Sequence, residues 1–200
     1  MPAIGITGGI ATGKSTFSEI FCRYLSAELF DADRCSRDLL DHDAGIRDAV
    51  RHAFGLRAFD PTGRPDRAWL REAVFADPSK RRELEQILHP AIREAWAARA
   101  GAASGDGHWL CVDIPLLYET GAQSQFAAVI VVACAPATQR ARLLHNRQIP
   151  ATIADQILAA QLDLATKIAQ ADHLIWNDST NTCLDRQARL LAGTLRQRRG

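Results

Sequence analysis

The chain has 200 residues, of which 47% are hydrophobic, and a formal net charge of +1, enough apolar material for one well-formed core plus a smaller appended region. The near-neutral balance gives no electrostatic reason for a nucleic acid partner, and no apolar run approaches the about 20 residues of a membrane span. The first strand follows Met1 too closely to leave room for a signal peptide, so a cytoplasmic protein is expected. Arg196, Arg198 and Arg199 read as a solvated helix terminus. The five cysteines (Cys22, Cys35, Cys111, Cys134, Cys183) are odd in number, widely spaced and without a C-x-x-C pair, which predicts reduced core or helix residues and neither disulfide nor metal.

Taken in chain order, the apolar run Ala3-Ile4-Gly5-Ile6-Thr7 predicts a buried strand. Gly8-Gly9-Ile10-Ala11-Thr12-Gly13-Lys14-Ser15 follows it, and then Phe17, Ile20, Phe21 and Leu25 recur at helical spacing. A short strand, Glu28-Leu29-Phe30, is expected ahead of Asp31. From 34 to 104 no strand is predicted; Leu39, Leu40, Ile46, Ala49, Val50, Ala53 and Phe54 suggest an inserted helical region. Its second half keeps a helical stripe (Leu84, Ile87, Leu88, Ile92, Ala95, Trp96) across Pro90, where the ring must kink the helix or begin a new one, so His89 is expected at a helix break. Gly101 to Gly107 reads as a flexible connection. Continuous apolar runs at 109–114, 129–134 and 173–176 predict parallel strands covered on both faces. Between the last two, Pro136 to Gln161 carries Arg140, Arg142 and Arg147 and could close over a triphosphate. The alternation of strands and helices predicts an α/β fold with a doubly wound parallel sheet and ligand chemistry at the strands' carboxyl ends.

Strand, G-x-x-x-x-G-K-S loop and helix together form a phosphate-binding loop for a nucleoside triphosphate. Gly8 and Gly13 permit dihedrals that let successive amides turn inward, Lys14 brings a mobile positive charge to the β- and γ-phosphates, and Ser15 offers a hydroxyl to Mg²⁺. The acceptor side needs a carboxylate near the attacking hydroxyl. Asp31 and Asp33, two residues apart at a strand end, would point the same way if the strand continued. Asp113 ends another strand and suits a Mg²⁺-water ligand, with a helix cap before Pro115 as the other reading.

In these elements the sequence resembles the dephospho-coenzyme A kinase family almost end to end. The resemblance rests on Gly5-Ile6-Thr7-Gly8-Gly9-Ile10 leading into the loop, Asp31-Ala32-Asp33 with Arg37, and Leu88-His89-Pro90-Ala91-Ile92. It continues through Val112-Asp113-Ile114-Pro115-Leu116-Leu117-Tyr118-Glu119, Thr138-Gln139 with Arg142, Gln161 with Lys167, and Ala171-Asp172 ahead of Ile175 and Asn177. It implies transfer of the ATP γ-phosphoryl group to the ribose 3′-hydroxyl of dephospho-coenzyme A, with Mg²⁺. The implied fold is a three-layer P-loop kinase: a nucleotide-binding core (1–33 and 105–200), a helical substrate-binding insertion (34–104) and a small lid (137–165). Carried over by position, Asp33 is the base or orienter of the 3′-hydroxyl and Lys14 the catalytic cation. Gly8, Gly9, Ile10, Ala11, Thr12, Gly13, Ser15 and Thr16, with Arg142 and Asn177, fall on the nucleotide side. Thr7, Arg37, His89 and Asp113 fall with Asp33 on the substrate side, Ser15 and Asp113 at the metal, and Lys167 at the lid flank.

Three departures from the family pattern stand out. Asn146 occupies the place of a second lid arginine, with Arg147 one residue later and about 100° away if the helix continues. Ile175-Trp176-Asn177-Asp178-Ser179 replaces Ile-Asp-Asn-x-Gly, and Tyr118 replaces a phenylalanine, adding a hydroxyl that needs a partner if buried. A nucleoside monophosphate kinase or another small-molecule kinase would share the loop and lid. A nucleotide-binding switch is disfavoured by the absence of an Asn-Lys-x-Asp signature. A monomer or weak homo-oligomer is expected.

Overall fold

A computed structural model describes residues 3–102, 109–146, 148–159 and 161–197. Five strands, β1 (Ala3–Gly8), β2 (Ala27–Asp31), β3 (Trp109–Asp113), β4 (Ala128–Ala133) and β5 (His173–Trp176), form one sheet in the order β2-β3-β1-β4-β5. β1 pairs in parallel with both β3 and β4, and β4 with β5. The register sets Ile6 opposite Asp113 and Gly8 opposite Val132, so the carboxyl ends of β1, β3 and β4 come together.

The continuous apolar runs have a simple cause. Alternate residues of each strand point to opposite faces, and both faces are covered. On one face Ile4, Ile6, Cys111, Ile130, Val132 and Ile175 pack against α1 (Lys14–Leu25) through Phe17, Ile20 and Phe21. The same layer takes Leu184, Ala188, Ala192 and Leu195 of α9 (Asn181–Gln197). On the other, Val129, Val131 and Ala133 meet Leu117, Tyr118 and Ala122, with Leu164 and Ile168 of α8 (Leu164–Ala169) against them. Arg196, exposed at the end of α9 as expected, also donates to the Tyr24 carbonyl and to Ser26 Oγ, tying that end to the turn that closes α1. Arg198 and Arg199 lie outside the described residues. β5 is an outer strand; the Gln187 carboxamide accepts from the Trp176 amide (3.2 Å) and donates to the Trp176 carbonyl (3.0 Å).

The chain divides into two compact units: Met1–Phe30 with Ala100–Gly200, which holds nearly all of the sheet, and Asp31–Arg99. The second unit is helical: α2 (Ala32–His42), α3 (Ala44–Phe54), α4 (Arg67–Ala76) and most of α5 (Pro78–Ala102). Leu40, Val50, Phe54, Phe59, Leu70 and Leu88 form its core, and Arg51 stacks over the Phe59 ring at 4.6 Å. Asp31, Asp43 and Asp66 each cap the following helix by accepting a backbone amide.

Two expectations need correction here. α5 runs through Pro90 without ending, so His89 sits within a continuous helix; the lost amide is one bond in a 25-residue element. The strand that holds Asp31 stops there and α2 begins at Ala32, so Asp31 is the extended N-cap and Asp33 lies on the helix; the two do not share a strand face. The Gly101–Gly107 connection lies largely outside the described residues. All five cysteines are free, with Cys22, Cys111 and Cys134 buried. Among the described residues no helix is long and apolar enough to cross a membrane.

Candidate active site

The loop between β1 and α1 is shaped by two left-handed residues and by crowding. Gly13, the N-cap of α1, has φ 88 and ψ 21, and Ala11 has φ 59, a conformation that costs an alanine about 1 kcal/mol. Gly8 has no space for a side chain, because a Cβ there would run into the Val132 carbonyl. Side chains then hold four successive carbonyls. Thr12 Oγ1 donates to Gly9 O (2.8 Å) and Gln139 Nε2 to Ile10 O (2.8 Å). Arg142 Nη1 donates to Ala11 O and Thr12 O (3.2 Å each), and Asn177 Nδ2 also donates to Thr12 O (2.8 Å). In a planar trans peptide the amide points away from its carbonyl, so carbonyls held outward turn the Ala11 and Gly13 amides toward the hollow of the loop. That is an anion nest at a helix amino terminus.

Lys14 reaches from the first turn of α1 to the carboxyl end of β3, where its Nζ pairs with Asp113 Oδ1. Asp113 is buried, and its second oxygen lies 3.1 Å from Ser18 Oγ, whose proton is shared with the Lys14 carbonyl at 3.0 Å. Ser15 and Thr16 are exposed on the same first turn. Thr7 is fully buried and donates to the Pro115 carbonyl (3.2 Å). Lys167 donates to that carbonyl too (3.2 Å) and pairs with Glu119 (2.7 Å). The Lys167 side chain has no solvent exposure, so the cation expected at the lid flank is a buried tie between α8 and the segment after β3.

The family model for dephospho-CoA kinase matches residues 2–182. The chain belongs to the dephospho-CoA kinase family. A dephospho-CoA kinase of Anaeromyxobacter dehalogenans is 39% identical, over 100% of this chain and 95% of that protein. One from Xanthomonas euvesicatoria is 38% identical, over 94% and 92%. Among solved structures, dephospho-CoA kinase from Campylobacter jejuni superposes with a TM-score of 0.73 at 26% identity, covering 99% of this chain and 98% of that one. Shikimate kinase from Acinetobacter baumannii reaches a TM-score of 0.51 at 16% identity, over 98% and 92%, a likeness of fold. The expected α/β fold with a parallel sheet and a P-loop kinase architecture is therefore found.

Within this dephospho-CoA kinase family member, the first unit brings together Gly8 to Thr16, Asp113, Arg142 and Asn177. Arg142, expected at the nucleotide, spends its guanidinium on loop carbonyls and on Asn177 O (2.8 Å). Asn177, expected near the base, is buried behind the loop, where a Cβ on Gly13 would collide with its amide nitrogen. α6 (Pro136–His145) ends with Asn146 as its C-cap, and Gln148 is left-handed at φ 53. Arg147 itself lies outside the described residues. Tyr118 is buried and its hydroxyl has no hydrogen-bond partner among the described residues; burial foremost, then the Asp172 charge, raises its pKa.

In the second unit Asp33 and Arg37 are exposed four residues apart on α2, neighbours on one helix face. His89 is half-buried on α5, and that burial, with Glu85 opposing and Arg93 assisting, lowers its pKa below the usual 6.5. Sequence reasoning missed the roles of Gln139, Gln161, Ser18 and Glu119. Gln139 and Gln161 were visible only as matched family positions, since a carboxamide in a helical pattern carries no signature of its own.

Proposed function

We propose that this chain transfers the γ-phosphoryl group of ATP to the ribose 3′-hydroxyl of dephospho-coenzyme A, giving coenzyme A and ADP, the last step of coenzyme A biosynthesis. The observation that carries the reading is the amide nest with Lys14 and Asp113 at its mouth, in a chain that matches the dephospho-CoA kinase model along nearly its whole length. The 3′-oxygen forms the new bond to phosphorus while the bond from the γ-phosphorus to the bridging oxygen breaks, and ADP leaves. Asp33 takes the hydroxyl proton.

Lys14 and the loop amides stabilise charge that spreads over the transferred oxygens. To do so Lys14 exchanges part of its contact with Asp113 for phosphate. Arg142, Asn177 and Thr12 act from behind, holding the loop's carbonyls. Arg37 and His89 are the proposed acceptor-side contacts. Mg²⁺ uses one or two carboxylates with phosphate and water, and the exposed Ser15 hydroxyl with the Asp113 carboxylate is a donor set of that kind. Among the described residues no cluster of three or more His, Cys, Asp or Glu offers an all-protein cage. When bound, the ion neutralises β- and γ-phosphate charge. Residues 137–165 are the proposed lid; within it Arg140 grips Asp155 through Nε and Nη2 (2.8 and 3.2 Å), joining α6 to α7 (Ala151–Ala159). The setting is cytoplasmic, and the protein a monomer or weak homo-oligomer.

A coupled assay for ADP tests the reading. Release is expected with ATP, Mg²⁺ and dephospho-coenzyme A together, and not when AMP or shikimate replaces the acceptor. Phosphorylation of AMP or shikimate in preference would overturn it.

A further inference from the structure

The phosphate-loop pattern fixes glycine at 8 and 13 and leaves 9 open, yet residue 9 is glycine. Its backbone does not require one, because its φ lies outside the left-handed region. The neighbouring carboxamide does: a Cβ at position 9 would stand 2.5 Å from Gln139 Nε2, the end of a flexible side chain that would have to move aside. Gln139, on α6, is buried at 6% exposure, and that same nitrogen donates to the Ile10 carbonyl at 2.8 Å. From the far end of the proposed lid segment, Gln161 Oε1 accepts from the Ile10 amide at 2.9 Å. Both backbone groups of one loop residue are therefore held by carboxamides that flank the segment 140–160.

We infer that Gln139 and Gln161 are positioning residues that orient the phosphate loop through Ile10, and that residue 9 is glycine to admit the Gln139 carboxamide. The inference rests on the phosphoryl-transfer reading above. Its chemistry is directional. The Ile10 carbonyl needs a donor, so the Ala11 amide on the same peptide faces the hollow only while Gln139 holds that carbonyl outward. The Ile10 amide needs an acceptor, which Gln161 supplies without drawing on the triphosphate. A preorganised donor set stabilises developing charge better than one that must first reorient, so its loss falls on turnover more than on acceptor binding.

Steady-state transfer with Gln139→Ala, Gly9→Ala and the double variant tests this. Each single change is expected to lower kcat about tenfold with the KM for dephospho-coenzyme A unchanged. The double variant should fall no further than Gln139→Ala, because the new methyl group then meets no carboxamide. Gln139→Met, which keeps the length of the side chain and cannot donate, should match Gln139→Ala. Multiplying losses in the double variant, or a wild-type kcat in Gln139→Ala with only a lowered Tm, would overturn the inference. Hydrogen exchange at the Ile10 amide of the nucleotide-free protein supplies a readout apart from activity. Exchange should speed up in Gln161→Met, and an unchanged rate would remove Gln161 from the scheme. If the wild-type protein failed to phosphorylate dephospho-coenzyme A, the function would fall, while the exchange measurement would still decide whether Ile10 is held.

Discussion

Lys14 and Asp113 share an ion pair that joins the first turn of the loop's helix to the neighbouring strand. Asp113 thus holds the ammonium close to the nest before any phosphate arrives, and its second oxygen is steadied by Ser18. Replacing Lys14 by Ala removes the one side-chain charge assigned to the transferred group. Transfer should fall by about a hundredfold or more in kcat/KM, measured by ADP release. Near-normal turnover would reassign that charge to another residue.

Asp33→Asn separates chemistry from nucleotide binding. The amide keeps the side chain's size and loses the ability to take a proton, so kcat should drop by about 10²-fold or more. ATP affinity, measured by calorimetry, should stay within about twofold of wild type. A defect confined to ATP affinity would move Asp33 to the metal or the nucleotide.

The pair between fully buried Lys167 and Glu119 predicts a stability effect that depends on which partner is lost. Glu119→Gln leaves a buried ammonium with the Pro115 carbonyl and no countercharge, and should lower the unfolding free energy by about 3 kcal/mol. Adding Lys167→Met should restore most of it, since the charge itself is then gone. Urea unfolding of the two variants reads this, and equal stability of Glu119→Gln and wild type would show that the pair contributes nothing.

His89 predicts a pH dependence of known sign. Burial favours the neutral ring in the folded protein and places its pKa below 6.5, so below that value the unfolded chain takes up the proton first. The contribution is complete above 6.5 and is lost as pH falls from there toward the folded pKa. Unfolding midpoints of wild type and His89→Gln, compared between about pH 5 and pH 7, should differ in slope, with the variant flatter. Parallel slopes would mean that the ring titrates as it does in water.

Much of the fold was legible because a sheet covered on both faces writes itself as uninterrupted apolar runs; β1, β3, β4 and β5 fall within a residue of where those runs predict them. The loop was legible because its glycines and lysine answer to local rules. Pro90 misled, since packing of Leu84, Ile87, Leu88 and Ile92 in the helical unit keeps α5 intact where local chemistry argues for a break. The setting of Asp33 was not legible: Asp31 accepts from the Arg34 amide and starts a helix one residue before the strand could carry both carboxylates. The backing of the loop was illegible for a different reason. Gln139 meets Ile10 across 129 residues of sequence and Asn177 meets Thr12 across 165, and no short-range pattern encodes either approach.

The carboxamide of Gln187 on the outermost strand has a consequence for aggregation. A bare rim would offer Trp176 as a template on which a foreign chain could anneal, and its indole and the Leu174 side chain are exposed enough to reward that contact. With donor and acceptor both plugged by a residue of the adjoining helix, that stretch of the rim refuses backbone addition while its apolar side chains stay on display.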